Sequence, residues 1–126
     1  MMTQIVQSEE DIWDAVYKIK YLLKGLPFSE KDTQCVIVSL LEIAHNVLDH
    51  GGGMGTVICK RVDGGICFIV SDQGPGIPCV DTILKGQYTS HSGLGLGLNG
   101  AKRLMDELKI ETSTKGTRII AIKRYV

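Results

Sequence analysis

The hydrophobic pattern changes its period at three consecutive glycines, residues 51–53. Before them, apolar residues recur at steps of three and four after a capping serine, Ser29, which predicts an amphipathic helix. After them, a period of two and an Asp-Gly-Gly turn at residues 63–65 predict a β-hairpin. A helix and a sheet with one apolar face each must bury those faces against one another. The apolar stripe of the predicted helix is Val36, Ile37, Leu40, Leu41, Ala44 and Leu48.

The remaining chain completes a two-layer arrangement. Residues 2–7 alternate weakly like a short strand, and Ser8 followed by acidic residues predicts the start of a first helix. A glycine-rich loop is expected over residues 73–97, a helix over 98–108, and a last hairpin turning at Lys115-Gly116. We therefore expect one α+β domain over residues 1–126, a two-layer α/β sandwich with a mixed, mostly antiparallel sheet covered on one face by helices.

Composition excludes several classes of function. The 14 basic and 14 acidic residues cancel, so no net charge attracts nucleic acid or an acidic membrane. The longest apolar run contains a glutamate and is too short to cross a bilayer, and no basic leader precedes an apolar segment. Four cysteines without a Cys-x-x-Cys pair fit buried thiols better than disulfides or a zinc site. These features favour a cytoplasmic protein. The cysteines are Cys35, Cys59, Cys67 and Cys79.

The end of the second helix carries a polar cluster. Glu42, Asn46 and Asp49 follow one another at steps of four and three, so they lie on nearly one helical face, with His45 beside them. A solvated helix face accounts for such a cluster when it is taken alone. Asparagine is an indifferent helix former, however, and its amide oxygen is a suitable ligand for Mg²⁺. A carboxylate one turn earlier can then serve as a base beside that metal.

Two glycine-rich segments accompany this cluster. In "SDQGPGI", Asp72 ends a strand and precedes Gly74 and Gly76, so its carboxylate can accept a hydrogen bond from an exocyclic amine; an ordinary turn explains the segment equally well. In "GLGLGLNG", three alternate glycines lead into a helix and offer backbone N–H groups to phosphate oxygens. The second segment lacks the Lys-Ser/Thr end of a Walker loop, so an ordinary P-loop is excluded.

The three segments together, in this order, resemble the N, G1 and G2 boxes of the GHKL superfamily, the Bergerat-fold ATPases. The resemblance covers nearly the whole chain. Within that superfamily, "DQGPGIP", "TSHSGLGLGLNGAKRLMDEL" and "KGTRIIAIK" are most similar to the anti-sigma-type serine/threonine kinases, above all to the switch kinases of the stressosome pathway.

This resemblance implies ATP and Mg²⁺ as cofactors and gives a role to each segment. Asn46 would hold the Mg²⁺ that bridges the ATP phosphates, and Glu42 would be the catalytic base. Asp72 would read the adenine amine, and the glycines that alternate from Gly93 would close over the phosphates. Thr117 would support the adenine site, although a plain strand threonine is an equal interpretation. The nucleotide-binding set so implied is Asn46, Asp49, Asp72, Gly74, Gly76, Gly93, Leu94, Gly95, Leu96, Gly97 and Thr117.

The resemblance also implies partners. The γ-phosphoryl group would pass to a serine or threonine of a STAS-domain antagonist protein, and the released kinase would act on a downstream phosphatase or another signalling target. A homodimer is among the assemblies implied, whereas nucleic acid and membrane are not partners. Two alternatives stay open. One is an anti-sigma factor that sequesters a sigma factor, and the other is a non-catalytic binding module whose partner surface is set by the nucleotide.

Overall fold

The computed structural model describes residues 1–76 and 94–126, the second range with side chains from residue 98 onward. The described strands and helices follow one another in the predicted order. The elements are β1 (Met2–Val6), α1 (Glu9–Leu23), α2 (Glu30–His50), β2 (Gly55–Val62), β3 (Gly65–Asp72), α3 (Leu94–Leu104), β4 (Glu107–Ser113) and β5 (Gly116–Arg124).

The five described strands form one sheet in the order β1-β2-β3-β5-β4. Each neighbouring pair is antiparallel, so the described sheet is more regular than the mixed sheet that was predicted. One face of the sheet packs against the helices, and Phe68 of β3, Ile12 of α1, Leu40 of α2 and Leu98 of α3 are all fully buried in the shared core. The predicted α+β two-layer sandwich is therefore confirmed.

Both predicted helix caps are present. The Ser8 hydroxyl accepts a hydrogen bond from the Asp11 N–H at 3.3 Å, and the Ser29 hydroxyl accepts one from the Asp32 N–H at 3.0 Å. Each serine satisfies an N–H that the first turn of a helix leaves without an intrahelical acceptor. These local signals therefore fix where α1 and α2 begin.

The third helix differs from its prediction. It spans Leu94–Leu104, so the expected loop over 73–97 was wrong at its end, and the expected helix over 98–108 was wrong at both ends. Leu104 and Leu108 fit a helical step of four, but Leu108 lies in β4 and packs on the core from the sheet. At the start, glycine's low helix propensity is outweighed by the burial of Leu98 and Ala101.

The described cysteines are free thiols, as expected. Cys59 and Cys67 are buried in the sheet, Cys35 is half-buried on α2, and Cys79 lies outside the described residues. Burial and the neighbouring Cys67 raise the pKa of the Cys59 thiol to about 12, so this thiol stays protonated and packs as an apolar group. In the part of the chain that the structure describes, no helix has the length and apolar character needed to cross a membrane.

Candidate functional site

The last two turns of α2 face the ends of β3 and β5 across a narrow pocket, called here the Asn46 pocket. Its polar wall brings together residues from the separate segments that the sequence singled out. Ile43, Val47, Val70 and Ile119 form the apolar wall. The polar wall consists of Asn46, His50, Asp72, Gly76 and Thr117.

The Asn46 side chain has unused hydrogen-bonding capacity. Its Nδ2 atom is buried and has no hydrogen-bond partner among the described residues. Since buried polar groups in folded proteins nearly always have a partner, an amide that lines a pocket with one end unsatisfied can receive a ligand there. The apolar stripe of α2 positions this side chain, because the neighbouring Ile43 and Val47 are both buried in the core.

Asp72 is held by backbone donors at the end of β3. The Gly74 N–H donates to its Oδ1 atom at 2.9 Å, and the Thr117 N–H of the paired strand donates to the same carboxylate. Burial raises the pKa of the Asp72 carboxyl, while the two N–H donors act in the opposite direction because they favour the charged form. A carboxylate oriented in this way presents acceptor oxygens toward the pocket.

Thr117 lies near the start of β5, where that strand meets the Asn46 pocket. Its side chain is 6% exposed, and its hydroxyl lies 2.9 Å from the Thr112 hydroxyl on the adjacent strand β4. That hydroxyl pair fixes the orientation of Thr117 where β5 meets the pocket. The structure therefore brings Thr117 together with Asp72 and Asn46, as the resemblance implied.

Two glycines allow α2 to end directly on the turn after β3. A Cβ atom on Gly51 would lie 2.6 Å from Asp72 Oδ2, and one on Gly74 would lie 2.5 Å from the carbonyl carbon of Gly51. Gly76 has φ +86°, in the left-handed region, and its Cβ atom would lie 2.1 Å from the Ser113 carbonyl oxygen. Sequence reasoning missed the contact made by Gly51, although the triple glycine after the helix was a signal for it.

Because of this close approach, alanine substitution at two glycines should have opposite effects on stability. Replacing Gly74 with alanine is expected to lower the free energy of unfolding by about 1–3 kcal/mol, because the new methyl group meets the rigid backbone of Gly51. Replacing Gly100 of α3 is the matched control. A Cβ atom there meets nothing within 4 Å, so alanine should stabilise the helix by up to about 1 kcal/mol. Urea denaturation measures both, and equal effects of the two substitutions would contradict the packing described.

Not every predicted residue reaches the Asn46 pocket. Glu42 and Asp49 are exposed on α2 and do not line it, so their roles stay predictions. His45 points toward α1 instead, with Nδ1 2.8 Å from the Leu41 carbonyl oxygen and Nε2 3.3 Å from Glu9 Oε1. Sequence reasoning left His50 without a role, although its position four residues after Asn46 places it on the same helical face.

The glycine-rich segment forms the first turn of α3. Leu94, Gly95, Leu96 and Gly97 are its first four residues, and the first four N–H groups of a helix lack intrahelical acceptors. These N–H groups and the positive end of the helix dipole are suited to an anion. Gly93 lies outside the described residues, as does the segment 89–92 that precedes it, including His91.

Three cavities meet at Asp72. The Asn46 pocket has a free volume of about 10 Å³, enough for roughly one water molecule. A neighbouring cavity of about 350 Å³ lies against Gly51, Met54 and Thr56, and an open groove of about 450 Å³ runs along β4 and β5. By itself the Asn46 pocket is therefore smaller than a purine base, whereas the two larger cavities also reach Asp72.

The donor set fits Mg²⁺ in the way nucleotide sites use this ion. Among residues 1–76 and 94–126, no group of three or more His, Cys, Asp or Glu side chains is placed to hold a metal by itself. Mg²⁺ bound with a nucleotide takes most of its ligands from phosphate oxygens and water, and needs only one or two from the protein. The Asn46 amide could make that contribution through its Oδ1 atom, whereas its unpaired Nδ2 atom is a donor suited to a phosphate oxygen.

Comparison with known proteins agrees with this geometry. Residues 32–124 match the family of histidine kinase-, DNA gyrase B- and HSP90-like ATPases. The chain is 33% identical over 123 residues to the serine/threonine-protein kinase RsbT of Bacillus subtilis, covering 94% of this chain and 92% of RsbT. It is 36% identical over 86 residues to the anti-sigma F factor of Clostridium novyi, covering 65% of this chain and 60% of that factor.

A solved structure extends the likeness of the fold. The crystal structure of the SiaB-SiaC complex from Pseudomonas aeruginosa contains a chain that superposes with a TM-score of 0.76 at 16% sequence identity. The match covers 97% of this chain and 88% of that one. At this identity the likeness concerns the fold alone, and it shows that the described arrangement of sheet and helices is shared.

Proposed function

Because the chain belongs to the family of histidine kinase-, DNA gyrase B- and HSP90-like ATPases, and is a kinase of that family, we propose that it transfers the γ-phosphoryl group of ATP to a serine or threonine of a STAS-domain partner protein. The observation that carries the proposal is the convergence of Asn46, Asp72 and Thr117 on one pocket. Similarity to RsbT along nearly the full length of both chains supports the kinase class.

In this proposal the pocket binds the nucleotide by its base and holds its phosphates near α3. The Asp72 carboxylate accepts a hydrogen bond from the adenine amine, and Thr117 supports the same edge from β5. The phosphates lie toward the first turn of α3, where the N–H groups of residues 94–97 have no intrahelical acceptors. Asn46, between these two ends, would contribute its amide oxygen to Mg²⁺, which supplies charge neutralisation at the phosphates when bound.

In this proposal, the residues of the chain act mainly by positioning ATP and the partner's hydroxyl group. Phosphoryl transfer has a loose transition state, so alignment and charge stabilisation supply most of the acceleration. Glu42 lies one turn before Asn46 on α2, exposed to an incoming hydroxyl group, and would accept its proton. The product carries about two additional negative charges on the partner surface, which favours release of the kinase toward a second, downstream target.

The direct test is a transfer assay. The full chain is incubated with Mg-ATP labelled at the γ-phosphate and a STAS-domain protein from the same genome, and the product is analysed by mass spectrometry. We expect one phosphorylated serine or threonine on the partner, and no label when that residue is replaced by alanine or when EDTA removes Mg²⁺. ATP binding without any transfer would contradict the kinase proposal and favour a binding module instead.

A second function is favoured by one comparison. The similarity to the anti-sigma F factor of Clostridium novyi makes sequestration of a sigma factor the alternative within the same fold. Co-purification of the chain with a sigma subunit of RNA polymerase, lost after phosphate-free partner protein is added, would support this alternative. Absence of any complex with sigma subunits would leave the kinase proposal as stated.

A further inference from the structure

The cavity of about 350 Å³ opens on the opposite side of the sheet from the Asn46 pocket. Thr56 of β2 and Ser71 of β3 are paired across the two strands, and both line this cavity. The next residues of the pattern, Val57 and Val70, are buried in the core that the helices cover. Successive side chains of a strand point to opposite faces, so Thr56 and Ser71 point away from the helices. We call this space on the outer face of the sheet the Thr56 cavity.

Glycines leave the Thr56 cavity open. The loop between α2 and β2 contributes Gly51, Gly52 and Gly55 to its wall. Gly52 has φ +83°, in the left-handed region, and a Cβ atom on Gly55 would lie 2.5 Å from the Ser71 carbonyl oxygen. A larger residue at either position would therefore strain the loop. The volume that remains lies within the range of about 300–1,000 Å³ that is typical of small-molecule sites.

The side chains around the Thr56 cavity have unused hydrogen-bonding capacity. Within residues 1–76 and 94–126, the Thr56 and Ser71 hydroxyls and the Gln73 amide make no hydrogen bond. These groups offer both donors and acceptors. Met54 is 54% exposed at the rim, where its Sδ atom accepts a hydrogen bond from Gln7 Nε2 at 3.0 Å. A thioether makes favourable contacts with aromatic rings, so these walls suit a flat aromatic ligand with polar substituents.

The charge at the Thr56 cavity restricts the ligand further. Among the residues that the structure describes, Asp72 is the only ionisable group that lines the cavity, and no Lys or Arg does. Its Oδ1 atom accepts a hydrogen bond from the Gly74 N–H, whereas Oδ2 lies on the side of Gly51, 2.6 Å from where a Cβ atom of that residue would be. A carboxylate accepts from N–H donors and repels anions. Phosphates and carboxylates are therefore poor ligands here, and a neutral or positive group with N–H donors is favoured.

We propose that the Thr56 cavity binds a small aromatic ligand carrying an amine or amidine group, and that this ligand weakens the binding of ATP through Asp72. Gly51 and Asp72 line both the Thr56 cavity and the Asn46 pocket, so the two sites share a wall. The coupling rests on the proposed function, in which the Asp72 carboxylate accepts a hydrogen bond from the adenine amine. A donor that arrives from the outer face of the sheet engages the same carboxylate. Because coupling between two sites is reciprocal, ATP weakens the ligand by the same factor.

Three probes that share one ring test the chemistry of the ligand. Benzamidine, benzamide and benzoate carry a positive, a neutral and a negative group. Two-dimensional NMR of the isotope-labelled full chain, without nucleotide, follows the backbone amide signals of Thr56 and Ser71. We expect benzamidine to shift these signals at millimolar concentration, as is usual for so small a ligand, benzamide to shift them less, and benzoate to leave them unchanged. No shift with benzamidine, or an equal shift with benzoate, would overturn the proposal.

Substitutions at the cavity wall locate the bound probe. Thr56→Trp fills the cavity and should abolish the effect of benzamidine on Ser71. Ile58→Trp is the matched control, because Ile58 lies two residues further along the same face of β2 and does not line the cavity. Met54→Lys changes an exposed side chain, so the fold is not at risk, and its positive charge should weaken benzamidine at least about fivefold. Equal binding in Thr56→Trp and Ile58→Trp would show that the probe binds elsewhere and would reject the site.

Calorimetry of ATP binding at increasing benzamidine concentration tests the coupling. The affinity for ATP should fall by about fivefold and then level off, since an effect transmitted from a separate site saturates. Thr56→Trp should remove this effect and keep the affinity for ATP. A constant affinity in the wild type would reject the coupling, and a fall without limit would place benzamidine in the Asn46 pocket and reject the separate site. Failure to bind ATP under any condition would reject the proposed function instead, while the NMR titration still decides whether the Thr56 cavity takes its ligand.

Discussion

Replacing Asn46 with alanine is expected to weaken binding of Mg-ATP by about 10- to 150-fold while the protein keeps its stability. In the proposed function this amide contacts the charged phosphates or their metal, and losing such a contact costs about 1.5–3 kcal/mol. Stability should change by less than about 1 kcal/mol, because the deleted amide has a buried Nδ2 atom without a partner and makes no contribution there. Isothermal titration calorimetry and urea denaturation of the same variant measure the two quantities.

Ser39 is a matched control on the same helix. Its hydroxyl is the other buried side-chain group without a hydrogen-bond partner among the described residues, and it does not line the Asn46 pocket. Replacing Ser39 with alanine should change the free energy of unfolding by less than about 1 kcal/mol. The affinity for ATP should stay within a factor of about three of the wild type. An unchanged ATP affinity in the Asn46 variant would reject the metal role of that residue. A large loss of stability would show instead that Asn46 supports the fold.

Local signals in the sequence predicted the fold well. Ser8 and Ser29 cap α1 and α2 as expected, since a cap depends on residues within one turn of it. The hairpin between β2 and β3 follows its Asp-Gly-Gly turn, with Val62 opposite Gly65. Where two patterns overlapped, local reasoning failed: Leu108 continues the helical spacing of α3 but also fits the alternation of β4, and only tertiary packing decides between them.

The candidate site, like the fold, could be predicted only in part from the sequence. Asn46, Asp72 and Thr117 lie in one pocket, as the resemblance to a family of known fold implied. The orientations of His45 and His50 could not be read from the sequence, because they depend on which neighbouring element each side chain meets. His45 meets Glu9 of α1, whereas His50 lines the pocket beside Asp72. The steric requirement at Gly51 likewise arises only when α2 and the turn after β3 come together.

Helix α2 packs in the hydrophobic core and also carries residues of the candidate site. Its buried side chains, Leu40 and Ile43 among them, lock the helix against the sheet, and Asn46 projects from the adjoining face into the pocket. Because a buried helix cannot shift along its axis without losing that packing, the exposed polar residues on the same helix keep fixed distances from the pocket. Glu42 is held in this way, one helical turn before Asn46.

Replacing Glu42 with glutamine is therefore expected to remove phosphoryl transfer and leave ATP binding intact. A positioned base contributes about 10²–10⁴-fold to a rate, and the amide retains the size of the carboxylate but cannot take the proton. Glu42 is exposed and does not line the Asn46 pocket, so neither the binding of the adenine ring nor the stability of the fold should change. Single-turnover transfer to the partner protein and calorimetric ATP binding measure the two effects.

Glu30→Gln serves as the control because Glu30 is an exposed glutamate at the opposite end of the same helix. It removes the same charge from α2 without touching the region near Asn46, so transfer should stay within about threefold of the wild type. Transfer at the wild-type rate in the Glu42 variant would reject its role as the base and would require alignment and charge stabilisation alone to carry the reaction. Loss of both transfer and binding would instead assign Glu42 to the nucleotide site, because a residue that acts only on the hydroxyl proton cannot alter ATP affinity.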